Sequence, residues 1–190
     1  TTTDNAGNST TAADDTNATV DNVAPTVSDA KISISGASGT GGAYRIGDTV
    51  AATWNNTASG DNNTDTVAGV TVNFTAFGGG SAVAASNSSG TWTASYTIVS
   101  GAVDAASRNV SVTATDNAGN PTTASDTTNA TVDSVRPTIT DILDQTILED
   151  QNSGALVFAI GDTLSGTANL TVAVNSSNPA LVPNSNVVLG

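Results

Sequence analysis

Carboxylates are the only groups in this chain that occur in numbers and could do chemistry: sixteen Asp and one Glu, Glu149. They fall in clusters. Asp116 lies in a DNAGN stretch, Asp133 precedes a linker, Asp141 follows Pro137, and Glu149-Asp150 comes shortly after. An earlier set has the same layout, with Asp4, Asp21, Asp29 and Asp48. Carboxylates on loops at short spacing suit a hard cation, which takes six to eight oxygens, and Asn117 and Asn120 could add amide oxygens. Gathered carboxylates repel unless a cation or solvent screens them. The bland alternative is that these are solvated turn residues, since Asp favours turns in any case.

A further group, Asp61-Asn62-Asn63-Thr64-Asp65, reads D-x-N-x-D, the opening of a calcium loop. Thr66 stands where an EF-hand needs its turn Gly, and Val72 stands where it needs its bidentate Glu, so an EF-hand is rejected. What remains is a non-EF site using Asp61, Asn63 and Asp65, or a plain Asx-rich turn.

Other chemistry finds little footing. The chain has no His and no Cys, no Gly-rich phosphate loop, and no base to activate a Ser. A glycosidase-like carboxylate pair is not placed by anything in the sequence. Lys31 could join an Asn in an isopeptide cross-link, but a single Lys is thin ground. N-x-S/T sequons occur ten times, which an Asn-, Ser- and Thr-rich composition produces by itself. The expectation is a protein that is not an enzyme.

Charge narrows the partners. The net charge is -13, and the four cations Lys31, Arg45, Arg108 and Arg136 are scattered. No basic patch for nucleic acid can be built from them, nor one for anionic lipid. No apolar run is long enough to span a membrane. The absence of Met even at position 1 leads us to expect an excerpt or a chain whose leader has been removed.

The elements that must position the carboxylates are organised by a repeat. Residues 1–29 align without a gap on residues 113–141, Thr1 on Thr113, with 21 of 29 positions identical. Each copy ends in NATVD and a short linker, NVAP or SVRP. This phase divides the chain into residues 1–23, the last strands of a preceding domain; residues 24–135, a complete domain; and residues 136–190, the first part of a different one.

Within the complete domain, apolar residues alternate in short runs: Ala30, Ile32 and Ile34; Val50, Ala52 and Trp54; Val70, Val72, Phe74 and Ala76; Trp92, Ala94, Tyr96 and Ile98; Val110, Val112 and Ala114; Ala130 and Val132. With a short run near 81–85, these are about seven strands, each with one buried and one wet face. Turn-rich pieces such as SGASGTGG, SGAVDAAS and DNAGN separate them. The expected fold class is all-β: tandem immunoglobulin-like, Greek-key β-sandwiches, with a closed barrel as runner-up. Trp54, Trp92, Tyr96, Phe74 and Phe77 read as core rather than as a carbohydrate platform. Beyond residue 136, Leu156, Phe158 and Ile160, then Leu170, Val172 and Val174, then Val187 and Leu189 suggest further strands.

The stretches YRIGDTVAATWNNTASGDNNTD, SGTWTASYTI, RNVSVTATDNAGN and the linker VDSVRPT resemble the tandem Ig-like repeats of very large bacterial surface adhesins, over residues 1–135. ITDILDQTILEDQNSGALVF and SSNPALVP resemble the first half of a related Ig- or cadherin-like repeat. The resemblance implies an extracellular, cell-surface extender that holds a binding tip away from the cell, with neighbouring repeats as its partners. It also implies structural Ca2+ at domain junctions, with Asp4, Asp21, Asp116 and Asp133 as matching ligand positions. A second reading is a filament of identical subunits, in which residues 1–23 add strands to the incomplete sandwich at 136–190 of the next subunit. A third, a sugar- or ice-binding module using outward Thr91, Thr93 and Thr97, ranks last because Thr is common on solvated strand faces.

Overall fold

A computed structural model describes residues 1–190. The chain is all-β, with short 3₁₀ turns in place of any longer helix, and no helix is long and apolar enough to cross a membrane. Two short strands come first, β1 (Thr2–Thr3) and β2 (Ser9–Thr10). Residues 24–135 contain β3 (Ile32–Ser35), β4 (Tyr44–Arg45), β5 (Thr49–Asn55), β6 (Val67–Asn73), β7 (Val83–Ala84) and β8 (Ser86–Ser88). They continue through β9 (Thr91–Thr97), β10 (Asp104–Arg108), β11 (Ser111–Asp116), β12 (Pro121–Ser125) and β13 (Ala130–Asp133). Beyond them lie β14 (Thr138–Ile139) and β15 (Ile160–Gly161).

Two antiparallel four-stranded sheets, ordered β3-β5-β9-β8 and β12-β11-β6-β7, make the two layers. A three-stranded sheet, β10-β13-β4, accompanies them, and in it β13 runs parallel to β4. Alternation along each strand decides which face turns inward. On β5, Val50, Ala52 and Trp54 are buried, and the register sets Ala52 opposite Ala94 and Trp54 opposite Trp92 on β9. In the other layer, Val70 and Val72 of β6 lie opposite Ala114 and Val112 of β11. Side chains from both layers join one cluster of 17 buried apolar residues, so the sheets pack face to face as a β-sandwich. The large aromatics belong to this core. Tyr96 is half-buried, and its hydroxyl donates to the Gly78 carbonyl at 2.9 Å.

Side-chain hydrogen bonds override the alternation at two strand ends. The strand expected from residue 29 begins only at Ile32, because Asp29–Lys31 form a 3₁₀ turn that leaves Ala30 exposed. The Asp29 carboxylate accepts the Thr127 N–H at 3.0 Å and its hydroxyl at 2.6 Å, which ties this turn to the far side of the domain. The strand expected to reach Ala76 stops at Asn73. Its Oδ1 accepts the N–H and hydroxyl of Thr75 in an Asx turn. The next turn swings Phe77 inward, edge-on to Tyr44 with ring centroids 5.6 Å apart.

Four strands between residues 24 and 135 carry no alternation signal: β4, β8, β10 and β12. Asp104–Arg108 reads as turn, yet it is a strand because β13 pairs with it from Asp104↔Asp133 to Arg108↔Ala130. Gly36, in the SGASG turn, has φ 108°, and a Cβ there would sit 2.0 Å from the Thr49 carbonyl oxygen, so the chain crossing at this point needs glycine.

The two repeat copies differ in how far they fold. β1 and β2 pair Thr2↔Thr10 and Thr3↔Ser9, the same register as Ala114↔Thr122 and Thr115↔Pro121 in the second copy. Past Thr10 the first copy forms no strand, while its counterpart continues through β12 and β13. Past residue 136, the strands expected over 156–160, 170–174 and 187–189 are absent except for β15, which pairs Ile160 with Ile139 of β14. A two-stranded ribbon is at best marginal without a sheet to bury its apolar face, and Leu148, Val157 and Val188 are exposed.

Candidate cation site

The DNAGN loop builds itself. At the end of β11, Oδ1 of Asp116 accepts the N–H groups of Ala118 at 2.9 Å and Asn120 at 2.8 Å, and Oδ2 accepts Asn120 Nδ2 at 2.9 Å. Gly119 supplies a φ of 94° that closes the turn. The first copy repeats every bond: Asp4 accepts Ala6 N, Asn8 N and Asn8 Nδ2, each at 2.9 Å, and Gly7 has φ 92°. Only long-range contacts separate the two loops.

Two other segments converge on the second loop. Asn117 N donates to the Thr66 carbonyl at 3.2 Å, which joins it to the β5–β6 loop and brings up Asp65. Asn120 Nδ2 also donates to the Asp21 carbonyl at 3.2 Å, which ties in the linker ahead of the domain. As a result, one carboxylate oxygen from each of Asp21, Asp65 and Asp116 lies within 4.8 Å of the other two. Asp116 is 2% exposed, and Asp21 and Asp65 are half-buried. None of the four basic residues offsets these charges, because the one ion pair is Arg45 with Asp48, at 4.0 Å.

Burial works against the charge on Asp116. The bonds from the Asn120 side chain and from the N–H groups of Asn120 and Ala118 outweigh it and hold the carboxyl below the usual carboxylate value, so it is ionised at neutral pH. The donors are all oxygen, from three carboxylates on three separate segments. This set fits a hard divalent cation such as Ca2+, and the repulsion of three gathered carboxylates is what such an ion would relieve.

The structure regroups the residues that spacing had put together. Asp116 does not meet Asp133. From Pro121 the chain runs back along β11, continues into β13, and reaches Asp133 beside Asp104, away from the DNAGN loop. Asp133 aligns with Asp21, and of the two it is Asp21 that meets a DNAGN loop, the one in the sandwich that follows it. Asp133 has its own acidic neighbourhood. Burial raises its pKa, as do the charges of Asp162 and Asp104, while a 3.4 Å bond from the Ser165 hydroxyl works the other way. Both carboxylate oxygens of Asp104 are shut off from solvent with no hydrogen-bond partner. Asp4 and Asp141 are exposed and stand outside the triad.

The D-x-N-x-D motif divides. Asp65 joins the triad, but Asp61 and Asn63 do not. Asp61 Oδ2 accepts Ser28 N at 2.9 Å and Trp54 Nε1 at 2.7 Å, and its Oδ1 accepts the Ser28 hydroxyl. Asn63 Oδ1 accepts Thr26 N at 2.7 Å, and its Nδ2 donates to the Thr26 carbonyl and to Asn56 Oδ1, both at 2.8 Å. These two residues staple the entering chain to the sandwich.

The same electrostatics make the fold acid-sensitive. Asp48 is buried, which disfavours its charge, but bonds from the Ser38 hydroxyl and the Arg45 and Ser38 N–H groups lower its pKa below the ordinary 3.8. Asp116 is lowered as well. A group with a depressed folded pKa contributes stability that is present above the unfolded value and lost as pH falls through the folded one. Denaturant midpoints should therefore fall as pH drops below about 3.8, and less steeply in Asp116→Asn. Equal slopes in parent and variant would show that Asp116 carries none of this linkage. Asp133, with a raised pKa, acts in the opposite sense: its contribution is complete below the unfolded value and is lost as pH rises through the folded one.

Comparison with known proteins found no match for this chain among protein families, curated proteins or solved structures.

Proposed function

We propose that this chain is a non-catalytic extender segment of a large bacterial cell-surface adhesin, and that calcium held by Asp21, Asp65 and Asp116 stiffens the junction at the head of the complete domain. The observation that carries this reading is the triad's origin: one ligand comes from the linker and two from separate loops of the sandwich. An ion there would fix the linker's direction relative to the sandwich, and a tandem array with rigid junctions is a rod. The gapless repeat supports an array, and the extracellular setting follows from the resemblance to surface adhesins. Its partners are then neighbouring repeats. Asp133, the counterpart of Asp21, with Asp104 and Asp162 nearby, places acidic groups at the following junction too.

Thermal unfolding with millimolar calcium and with chelator tests this. Calcium at a hundredfold excess over Kd would add about 2.7 kcal/mol, a rise in Tm on the order of ten degrees for a domain of this size. Asp65→Ala and Asp116→Asn should abolish the rise. Superimposed curves with and without calcium would remove the cation from the proposal.

A further inference from the structure

The chain enters the sandwich at one end and leaves it at the other, and side-chain bonds join the entering segment directly to the exit segment. We propose that residues 24–135 carry tension from end to end, and that the Asp29–Thr127 pair is the clasp that passes it from the entering segment to the exit strand β13. This rests on the extender reading for its use, since a segment of a rod is pulled at both ends, but it does not depend on the cation.

Both terminal strands lie along the direction of such a pull. β3 starts at the entry end, where Ile32 pairs with Trp54, and runs toward Ser35 opposite Ala51. β13 runs toward the exit, with antiparallel β10 on one side and parallel β4 on the other. Antiparallel ladder bonds stand perpendicular to the strands. Sliding β3 past β5, or β13 past β10, therefore strains a whole ladder together, whereas peeling breaks one rung at a time. The exit is closed by Ser134, which is fully buried. Its carbonyl accepts the Gly101 N–H at 2.7 Å, its N–H donates to the Val103 carbonyl at 3.1 Å, and its Oγ accepts the Val103 N–H at 2.9 Å.

The side-chain bonds that hold residues 26–31 divide by where they lead. Thr26 and Ser28 are tied to Asn63 and Asp61, and Lys31 Nζ donates to the Ser59 carbonyl at 2.8 Å, so these pass tension to the β5–β6 loop. Of this set, only the Asp29 bonds reach the exit segment, where the carboxylate accepts the Thr127 N–H at 3.0 Å and its hydroxyl at 2.6 Å. Hydrogen bonds to a carboxylate are stronger than neutral ones. Thr127 is itself held in place. Asp126 beside it is 1% exposed, donates its N–H to the Val110 carbonyl at 3.0 Å and accepts the Thr128 hydroxyl at 2.6 Å. From Thr127 the chain runs through β13 to Ser134 and out. Asp29 and Thr127 are both exposed, so the pair adds nothing to the apolar core; what it does is join the two segments that a pull would separate.

The test is forced unfolding of single molecules of the full chain in chelator, with handles either at Thr1 and Gly190 or at Val99→Cys and Gly190. The chain has no cysteine of its own, and Val99 is exposed just ahead of β10. The second pair of handles therefore peels β13 from β10, starting at the exit. Forced unfolding reads the unfolding rate. At a given force the parent should unfold more slowly from the first pair than from the second. Asp29→Ala should unfold about tenfold faster from the first pair, the effect of taking roughly one carboxylate hydrogen bond from the barrier, and at the parent's rate from the second. Asp29→Asn, which keeps an acceptor, should recover part of the loss. Thr127→Ala should fall between parent and Asp29→Ala, and should add nothing in the double variant, because its hydroxyl bond is already gone. Equal rates from the two pairs of handles in the parent would overturn the proposal. So would Asp29→Ala unfolding faster from both pairs, which would make Asp29 a general stabiliser, or from neither. Chelator is present throughout, so a missing calcium response would remove the metal from the junction and leave this result standing.

Discussion

Trp54→Ala should cost the sandwich about 3–5 kcal/mol of unfolding free energy, the usual range for deleting a buried aromatic. Trp54 is fully buried at the end of β5 and lies opposite Trp92, in the layer that faces Val70, Val72 and Val112. The loss has two parts. Removing the indole leaves a cavity that the two sheets cannot close without shifting β5 against β9, and it also takes the Nε1 donor away from Asp61. Total stability for a domain of this size is about 5–15 kcal/mol, so a large fraction disappears and the variant sits near its folding threshold. Urea unfolding followed by circular dichroism checks this. A midpoint within experimental error of the parent's would mean that Trp54 is not part of a packed core. Trp54→Phe keeps most of the volume but not the donor, and should fall between the two.

Asp61→Ala should cost about 2–6 kcal/mol, from leaving two N–H donors without partners at about 1–3 kcal/mol each, besides the bond from the Ser28 hydroxyl. One is Trp54 Nε1, inside the core, and the other is Ser28 N, where the entering chain is stapled down. The loss should be the same in calcium and in chelator, and the calcium-induced rise in Tm should survive. This separates a staple from a ligand. A variant that kept the parent's stability in chelator but lost its calcium response would return Asp61 to the metal site. Combined with Trp54→Phe, the losses should be less than additive, because both remove the same hydrogen bond.

How far local reading reached is clearest in the DNAGN loop. Its turn, its glycine and its carboxylate acceptor bonds all lie within five consecutive residues, and the two copies fold alike although one sits in a sandwich and the other does not. The inward faces of β5, β6, β9 and β11 were legible for a related reason: period-two alternation is a property of the strand itself. β10 was not, because DAASR has no alternation and becomes a strand only through β13.

The carboxylate triad was half legible. Asp21, Asp65 and Asp116 could each be singled out as acidic residues on turns, but spacing assigned Asp116 to Asp133 and kept Asp65 with Asp61. Nearness along the chain was the wrong guide. Asp21 and Asp116 are brought together by antiparallel strands that return the DNAGN loop to the end of the sandwich where the chain enters, while Asp133 leaves at the other end. The sequence by itself thus determined the repeat, the all-β class, the buried faces and the self-made turns, since these depend on side-chain period and on bonds between near neighbours. Which carboxylates meet, which repeat copy becomes strand and which apolar residues stay exposed were decided only by tertiary structure, because each depends on a partner strand that lies far away in the chain.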